Sequence, residues 1–154
     1  MKELSAEDKE LLLKDLCAKL PYGVIIWHKY YPDKVTKKFA TSIRLADTKL
    51  ALSNKLNEEG DWYPIEESGE ILIKPYLRPM SSMTEEECDM VEEILGDKCI
   101  FDFMGNGDII LKQGQFSQND LAKLYSYYNS IHVDYHNLIP KGLAIDATEL
   151  KIYD

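Results

Sequence analysis

Leu20-Pro21-Tyr22-Gly23-Val24-Ile25-Ile26-Trp27 carries two opposed backbone instructions in succession. Proline denies a helix one of its hydrogen bonds and glycine accepts positive φ, so the first half ends a helix. Val24 to Trp27 is β-branched and aromatic, and too short to form a helix of its own, so the second half starts a strand. Helix before and sheet after define an α+β chain.

Upstream, Ser5 is placed as an N-cap with Asp8 three residues on, and Leu12, Leu13, Leu16, Cys17 and Leu20 recur at helical spacing, which predicts a helix over about 6–20. Downstream, Phe39, Thr41, Ile43 and Leu45 alternate with more polar neighbours and read as a strand. Tyr30-Tyr31-Pro32-Asp33 supplies turn chemistry between the first two strands. Leu50–Leu52 and Ile71–Ile73 look like further strands around an acidic loop. The expected product is a small, mainly antiparallel sheet over about 24–77, with an SH3-like, partly open barrel as one form it could take.

The second half of the chain is punctuated by caps. Thr84 and Glu87 form a capping box, with Met83 and Cys88 at the staple positions, and Cys88, Val91, Ile94 and Leu95 make one apolar stripe before Gly96. This predicts a helix over 84–95. Residues 99–112 read as a hairpin turning at Met104-Gly105-Asn106-Gly107. Ser117 and Asp120, flanked by Phe116 and Leu121, open a third helix over 118–131. A short helical turn and strands at Leu143–Ile145 and Leu150–Tyr153 complete the expectation of one domain over 1–154, with about three helices packed on the sheet.

The chain has 154 residues, 45% of them hydrophobic, which is enough to bury a core without a covalent staple. Its longest unbroken apolar run is Val24–Trp27, far below the roughly 20 residues that cross a bilayer. With no secretory pattern at the N-terminus, cytoplasmic residence is expected. Cys17, Cys88 and Cys99 lie at wide spacings that suit free thiols better than a zinc site, and Cys17 and Cys88 fall on the apolar faces of predicted helices. The formal charge of −9 opposes binding to nucleic acids and anionic membranes. It is unevenly spread: residues 84–97 hold seven acids and no base.

Few patterns carry chemistry. His132 and His136 would share a helix face and could hold a metal with a carboxylate from elsewhere, but the glutamate of a hydrolytic zinc motif is missing. The plainer reading makes Asp134 a cap and gives the histidines ordinary hydrogen bonds. Ser81, Ser82 and Thr84 precede a helix whose first turn holds Glu85, Glu86 and Glu87, so capping suits them better than phosphate binding. Trp27, His28, Lys29, Tyr30 and Tyr31, with Lys34, Lys37 and Lys38, resemble a single-strand stacking platform, and equally a sheet edge protected by lysines. Arg78 calls for a carboxylate or an anionic ligand.

Three blocks, Asp15-Leu16-Cys17-Ala18-Lys19-Leu20-Pro21-Tyr22-Gly23-Val24, then Lys74 to Glu87, then Asp134 to Ile145, resemble a family of short proteins carried by gut Bacteroidetes and their phages or prophages. The chain departs from that family at His136-Asn137, where an Arg-Gly pair is typical, and at Pro140, where an acid is. The resemblance implies an accessory protein of a mobile element and no particular reaction. Surface contact with a protein partner, modulating host machinery without a cofactor, is the leading expectation, and catalysis is not expected. The alternative is a small-ligand binder or enzyme with a pocket between sheet and later helices, using Tyr76, Arg78, Asp134, Tyr135 and His136. A third reading is a single-stranded nucleic-acid binder through residues 27–38.

Overall fold

The computed structural model describes residues 3–31, 37–56, 58–95, 99–101, 109–111, 117–150 and 152–153. Helix α1 spans Ala6–Lys19, opened by the Ser5 hydroxyl, which accepts from the Asp8 amide at 3.1 Å. Pro21 tightens the exit into a 3-10 turn over Leu20–Tyr22, and Gly23 reverses the chain at φ 72°. A Cβ at Gly23 would stand 2.9 Å from the Leu56 side chain, so the position is restricted both by conformation and by space.

Seven strands follow: β1 Ile26–His28, β2 Phe39–Arg44, β3 Lys49–Ser53, β4 Asp61–Pro64, β5 Glu66–Glu67, β6 Glu70–Ile71 and β7 Ile73–Leu77. Next come α2 (Glu85–Leu95), a hairpin of β8 (Cys99–Phe101) and β9 (Ile109–Leu111), α3 (Gln118–Ser130) and β10 (Ile145–Asp146). Two three-stranded sheets form, in the orders β1-β7-β10 and β2-β3-β4, with β5-β6 and β8-β9 as two-stranded hairpins. Every strand pair is antiparallel except β10 on β7. The two sheets touch where Ile25 bridges Phe39, flanked by backbone bonds from Ile26 to Lys38 (2.8 Å) and from Ala40 to Val24 (3.1 Å). The described strands do not close into a barrel. The α+β class and the antiparallel bias are as read from the sequence, while β4 and β5 occupy what had read as an acidic loop.

Gly60 makes the β3-β4 turn possible, because a Cβ there would lie 2.1 Å from the Leu52 carbonyl oxygen. The predicted turn Met104–Gly107, the stop at Gly96, the staple residue Phe116 and the turn residues Pro32 and Asp33 lie outside the described residues. Both capping boxes are present: Thr84 and Glu87 bond reciprocally at 2.9 and 3.2 Å, and Ser117 and Asp120 do the same.

Buried apolar side chains form three clusters. The largest is aliphatic and packs α1 (Leu12, Leu16) against Val24, Ile26, Leu50, Leu72, Ile73 and Leu77. A second, softer cluster joins α2 and α3 through Met83, Cys88, Val91, Leu95, Leu124, Tyr128 and Val133. A third sits on the far side of β1 and β7 around Ile25, Tyr76 and Ala147.

Two expectations need correction. Helix α1 is turned about its axis relative to the predicted stripe: Leu12 and Leu16 are buried together with Asp8, Asp15 and Lys19, while Cys17 is exposed. Residues 150 and 152–153 form turns in place of the predicted strand. Tyr153 joins the sheet through its side chain: its hydroxyl accepts from the Ile25 amide and donates to the Tyr76 carbonyl, both at 2.8 Å. The phenol thereby fills a gap in the β1-β7 ladder that a direct backbone bond would otherwise close.

Candidate functional site

Asp15 and Lys19 stand one turn apart on α1, and both side chains are 0% exposed. They form a buried ion pair. The Lys19 ammonium also lies 4.6 Å from the centre of the Tyr135 ring, and Asp15 Oδ1 sits 3.0 Å from His136 Nδ1. Burial pulls the Lys19 ammonium below its usual range, although Asp15 acts to hold the proton on. A charge pair this dry persists because each partner offsets the desolvation of the other.

The loop after α3 closes over the pair. Asp134 is 5% exposed, and its two carboxylate oxygens accept from the amides of Leu138 and Ile139, both at 2.8 Å. No helix follows here among the described residues, so Asp134 closes a run of turns where a helical cap had been read. His132 and Asn137 hold the loop in shape at φ 59° and 61°, a region that non-glycine residues rarely enter. His132 stacks on Tyr153 with ring centres 3.9 Å apart, and burial, then the charges of Lys19 and Arg78, push its imidazole down to about 4. Burial raises the Tyr135 phenol, against a hydrogen bond from Asn129.

Arg78 meets this loop through its backbone, and its side chain bridges from the end of α3 to the start of α2. Its amide donates to the His132 carbonyl and its carbonyl accepts from the Asp134 amide, each at 2.8 Å. The guanidinium grips Glu87 with two bonds of 2.8 and 2.7 Å and donates also to the carbonyls of Ser82 and Ile131. Burial works against the Glu87 charge, yet the bonds from Arg78 and Thr84 hold its carboxyl below the usual range. Arg78 therefore latches the start of α2 to the loop after α3. Tyr76 is 6% exposed in the third cluster, and burial raises its phenol.

The five predicted residues thus divide. Asp134, Tyr135 and His136 gather over Asp15 and Lys19, Arg78 joins their loop through its main chain and through a guanidinium bond to Ile131, and Tyr76 packs on Tyr153's side of the sheet. The blocks 15–24, 74–87 and 134–145 meet in this seam. Asp15, Lys19, Asn129 and Tyr153 belong to it and were not picked out from the sequence. The available signal was Asp8, Asp15 and Lys19 in register with Leu12 and Leu16 on one helical stripe.

Chemically, the Asp15–His136 contact is the one arrangement here that resembles a carboxylate orienting a general base. No serine or cysteine side chain contacts His136 among the described residues. Nor do three or more His, Cys, Asp or Glu side chains converge as metal ligands among them.

The aromatic and basic residues near the first strands come together on another surface. His28 lies 5.2 Å from the Tyr31 ring and 5.0 Å from Tyr63, and the Lys38 ammonium stands 4.2 Å from Tyr31. Burial and the nearby Lys38 lower the His28 imidazole. Lys38 and Tyr63 also border a hollow lined by Lys55, Glu58, Glu59 and Asp61, where three acids outnumber two lysines and oppose a phosphate backbone. Lys34 lies outside the described residues. Among the described residues, no helix is long and apolar enough to cross a membrane. No protein-family model, no curated protein and no solved structure matches the chain.

Proposed function

We propose that this chain is a binding protein that acts by surface contact with another protein, as a cytoplasmic accessory factor of a phage or related mobile element modulating host machinery. Chemically capable groups of the seam, buried or half-buried, are engaged by the protein itself: Lys19 and His136 with Asp15, Asp134 with two amides, Arg78 with Glu87. The reading rests above all on what remains outside. Six of the eight exposed large apolar side chains among the described residues fall within 22–62, namely Tyr22, Tyr30, Tyr31, Leu45, Leu56 and Trp62. Cations accompany the aromatics, with Arg44 4.6 Å from the Trp62 ring. Tyrosine, tryptophan and arginine are the side chains that most often anchor protein interfaces.

One backbone detail supports the resemblance to the mobile-element family. Asn137 adopts φ 61°, a conformation that suits the glycine typical there. The acids beside Lys38 and Tyr63 speak for the protein reading over the single-stranded nucleic-acid one.

The test is affinity capture from a Bacteroidetes host lysate at physiological salt, using the native chain, a Tyr31→Ser/Trp62→Ser variant and a Glu92→Lys control, all matched for thermal stability. A protein retained by the native chain and the control, and lost from the double variant, supports the proposal. Retention of nothing, or equal retention by all three, overturns it.

A further inference from the structure

Beside the start of α1 there is a cleft of about 420 Å³, a volume within the roughly 300–1,000 Å³ of small-molecule sites. Leu4, Ile71, Leu143 and the indole of Trp27 supply its apolar lining. Trp27 and Lys74 are cross-strand partners in the β1-β7 register, so both side chains leave the same face of the sheet. The Lys74 ammonium stands 5.7 Å from the centre of the indole ring.

The charges around the cleft differ from those of the rest of the molecule. Lys29, Lys74 and Lys141 face Glu3, Asp8 and Glu70, a formal balance of zero in a chain whose net charge is −9. Two of the lysines have partners: Lys29 bonds Glu70, and Lys141 lies 3.9 Å from Asp8. Lys74 has neither an ion pair nor a hydrogen bond among the described residues. An unpaired cation beside a half-buried indole, over an apolar lining, is complementary to a molecule that carries one negative charge on a flat or slender hydrocarbon body. Elsewhere the acidic surface would repel such a molecule.

We propose that this cleft binds a small aryl or alkyl carboxylate, with the carboxylate on Lys74 and the hydrocarbon body against Trp27, Ile71 and Leu143. The charge-assisted contact to Lys74 selects acids over alcohols of the same shape, and the indole and aliphatic side chains select for apolar bulk. The proposal is independent of the protein-binding surface, because Tyr31 and Trp62 do not line the cleft.

The probes are phenylpropanoate and its uncharged counterpart phenylpropanol, titrated into the full chain while amide shifts are followed by NMR. Phenylpropanoate is expected to shift the amides of Ile71, Gly142 and Leu143, to bind about tenfold or more tightly than the alcohol, and to weaken as salt is added. Lys74→Met should abolish the preference for the acid, since losing one charge-assisted bond costs about tenfold or more. Trp27→Leu should weaken both probes. If Trp27→Leu does not fold, the comparison of acid with alcohol on the native chain and on Lys74→Met decides the question. Equal affinity for the two probes, shifts located elsewhere, binding indifferent to Lys74→Met, or no binding at millimolar phenylpropanoate would each overturn the assignment.

Discussion

The α1–sheet region and the α2–α3 region bury their side chains on different terms. The first has an aliphatic interior in which leucines, isoleucines and valine from α1 and five strands interlock. The second is smaller, and beside Val91, Leu95, Leu124 and Val133 it uses Met83, Cys88 and Tyr128; methionine fills space with less shape specificity than a branched aliphatic side chain. Between them runs a polar seam of Asp15, Lys19, Asp134 and His136. The α2–α3 region is held to the rest by directed contacts: the Arg78–Glu87 latch, the backbone bonds of Arg78 to the 132–134 loop, and Asp134 on the amides of Leu138 and Ile139. A region secured by a few directional bonds should open before one secured by a large contact area.

The hardest blow to that arrangement is to remove one half of the buried pair. Asp15→Ala leaves the Lys19 ammonium dry and unpaired, and should cost about 3–5 kcal/mol in denaturant unfolding. Asp15→Leu/Lys19→Met replaces the pair with apolar bulk and should be close to neutral or stabilising. A double variant as unstable as Asp15→Ala would mean that the seam does more than satisfy its own charges.

Acid should find the same seam. The folded His132 imidazole titrates near 4 against its ordinary 6.5. The unfolded chain therefore takes up the proton first, so stability is full above about 6.5 and is lost as pH falls through about 4, by at most about 3 kcal/mol. His132→Asn tolerates the same left-handed backbone and should flatten that part of the pH–stability curve. An unchanged curve would remove His132 from the account.

Cutting the latch should separate the two regions more selectively. Arg78→Met leaves Glu87 half-buried without its guanidinium and should cost about 1–3 kcal/mol. Amide exchange should accelerate in α2 and α3 before it does in β3 and β7. Uniform acceleration would show that the two regions unfold as one. The smallest effect belongs to the proposed interface: Tyr31→Ser should change stability by no more than about 0.5 kcal/mol, because the side chain is 53% exposed.

Much of the fold was legible because it is written locally. Ser5, Thr84 with Glu87, and Ser117 with Asp120 announce three helix starts through side chains that reach backbone amides only a few residues away. Pro21 and Gly23 announce a stop in the same way. The candidate site was legible only in part. Asp134 could be read as a polar junction residue after the third helix, but no local pattern marked Asp15 and Lys19 as a buried pair, and Arg78 gave no sign of which acid it would choose. Tyr153 read as one residue of a strand, and nothing nearby in sequence shows that its hydroxyl would complete hydrogen bonds of Ile25 and Tyr76.

By itself, then, the sequence determined where helices begin and end, the α+β class and the antiparallel bias, because caps, breakers and side-chain alternation act over a few residues. Tertiary structure alone decided which face of α1 turned inward, how β10 came to lie parallel to β7, and which charges met in the dry. Those outcomes depend on contacts between residues far apart in the chain, such as Asp15 with His136 and Ile25 with Tyr153, whose partners no local pattern can name.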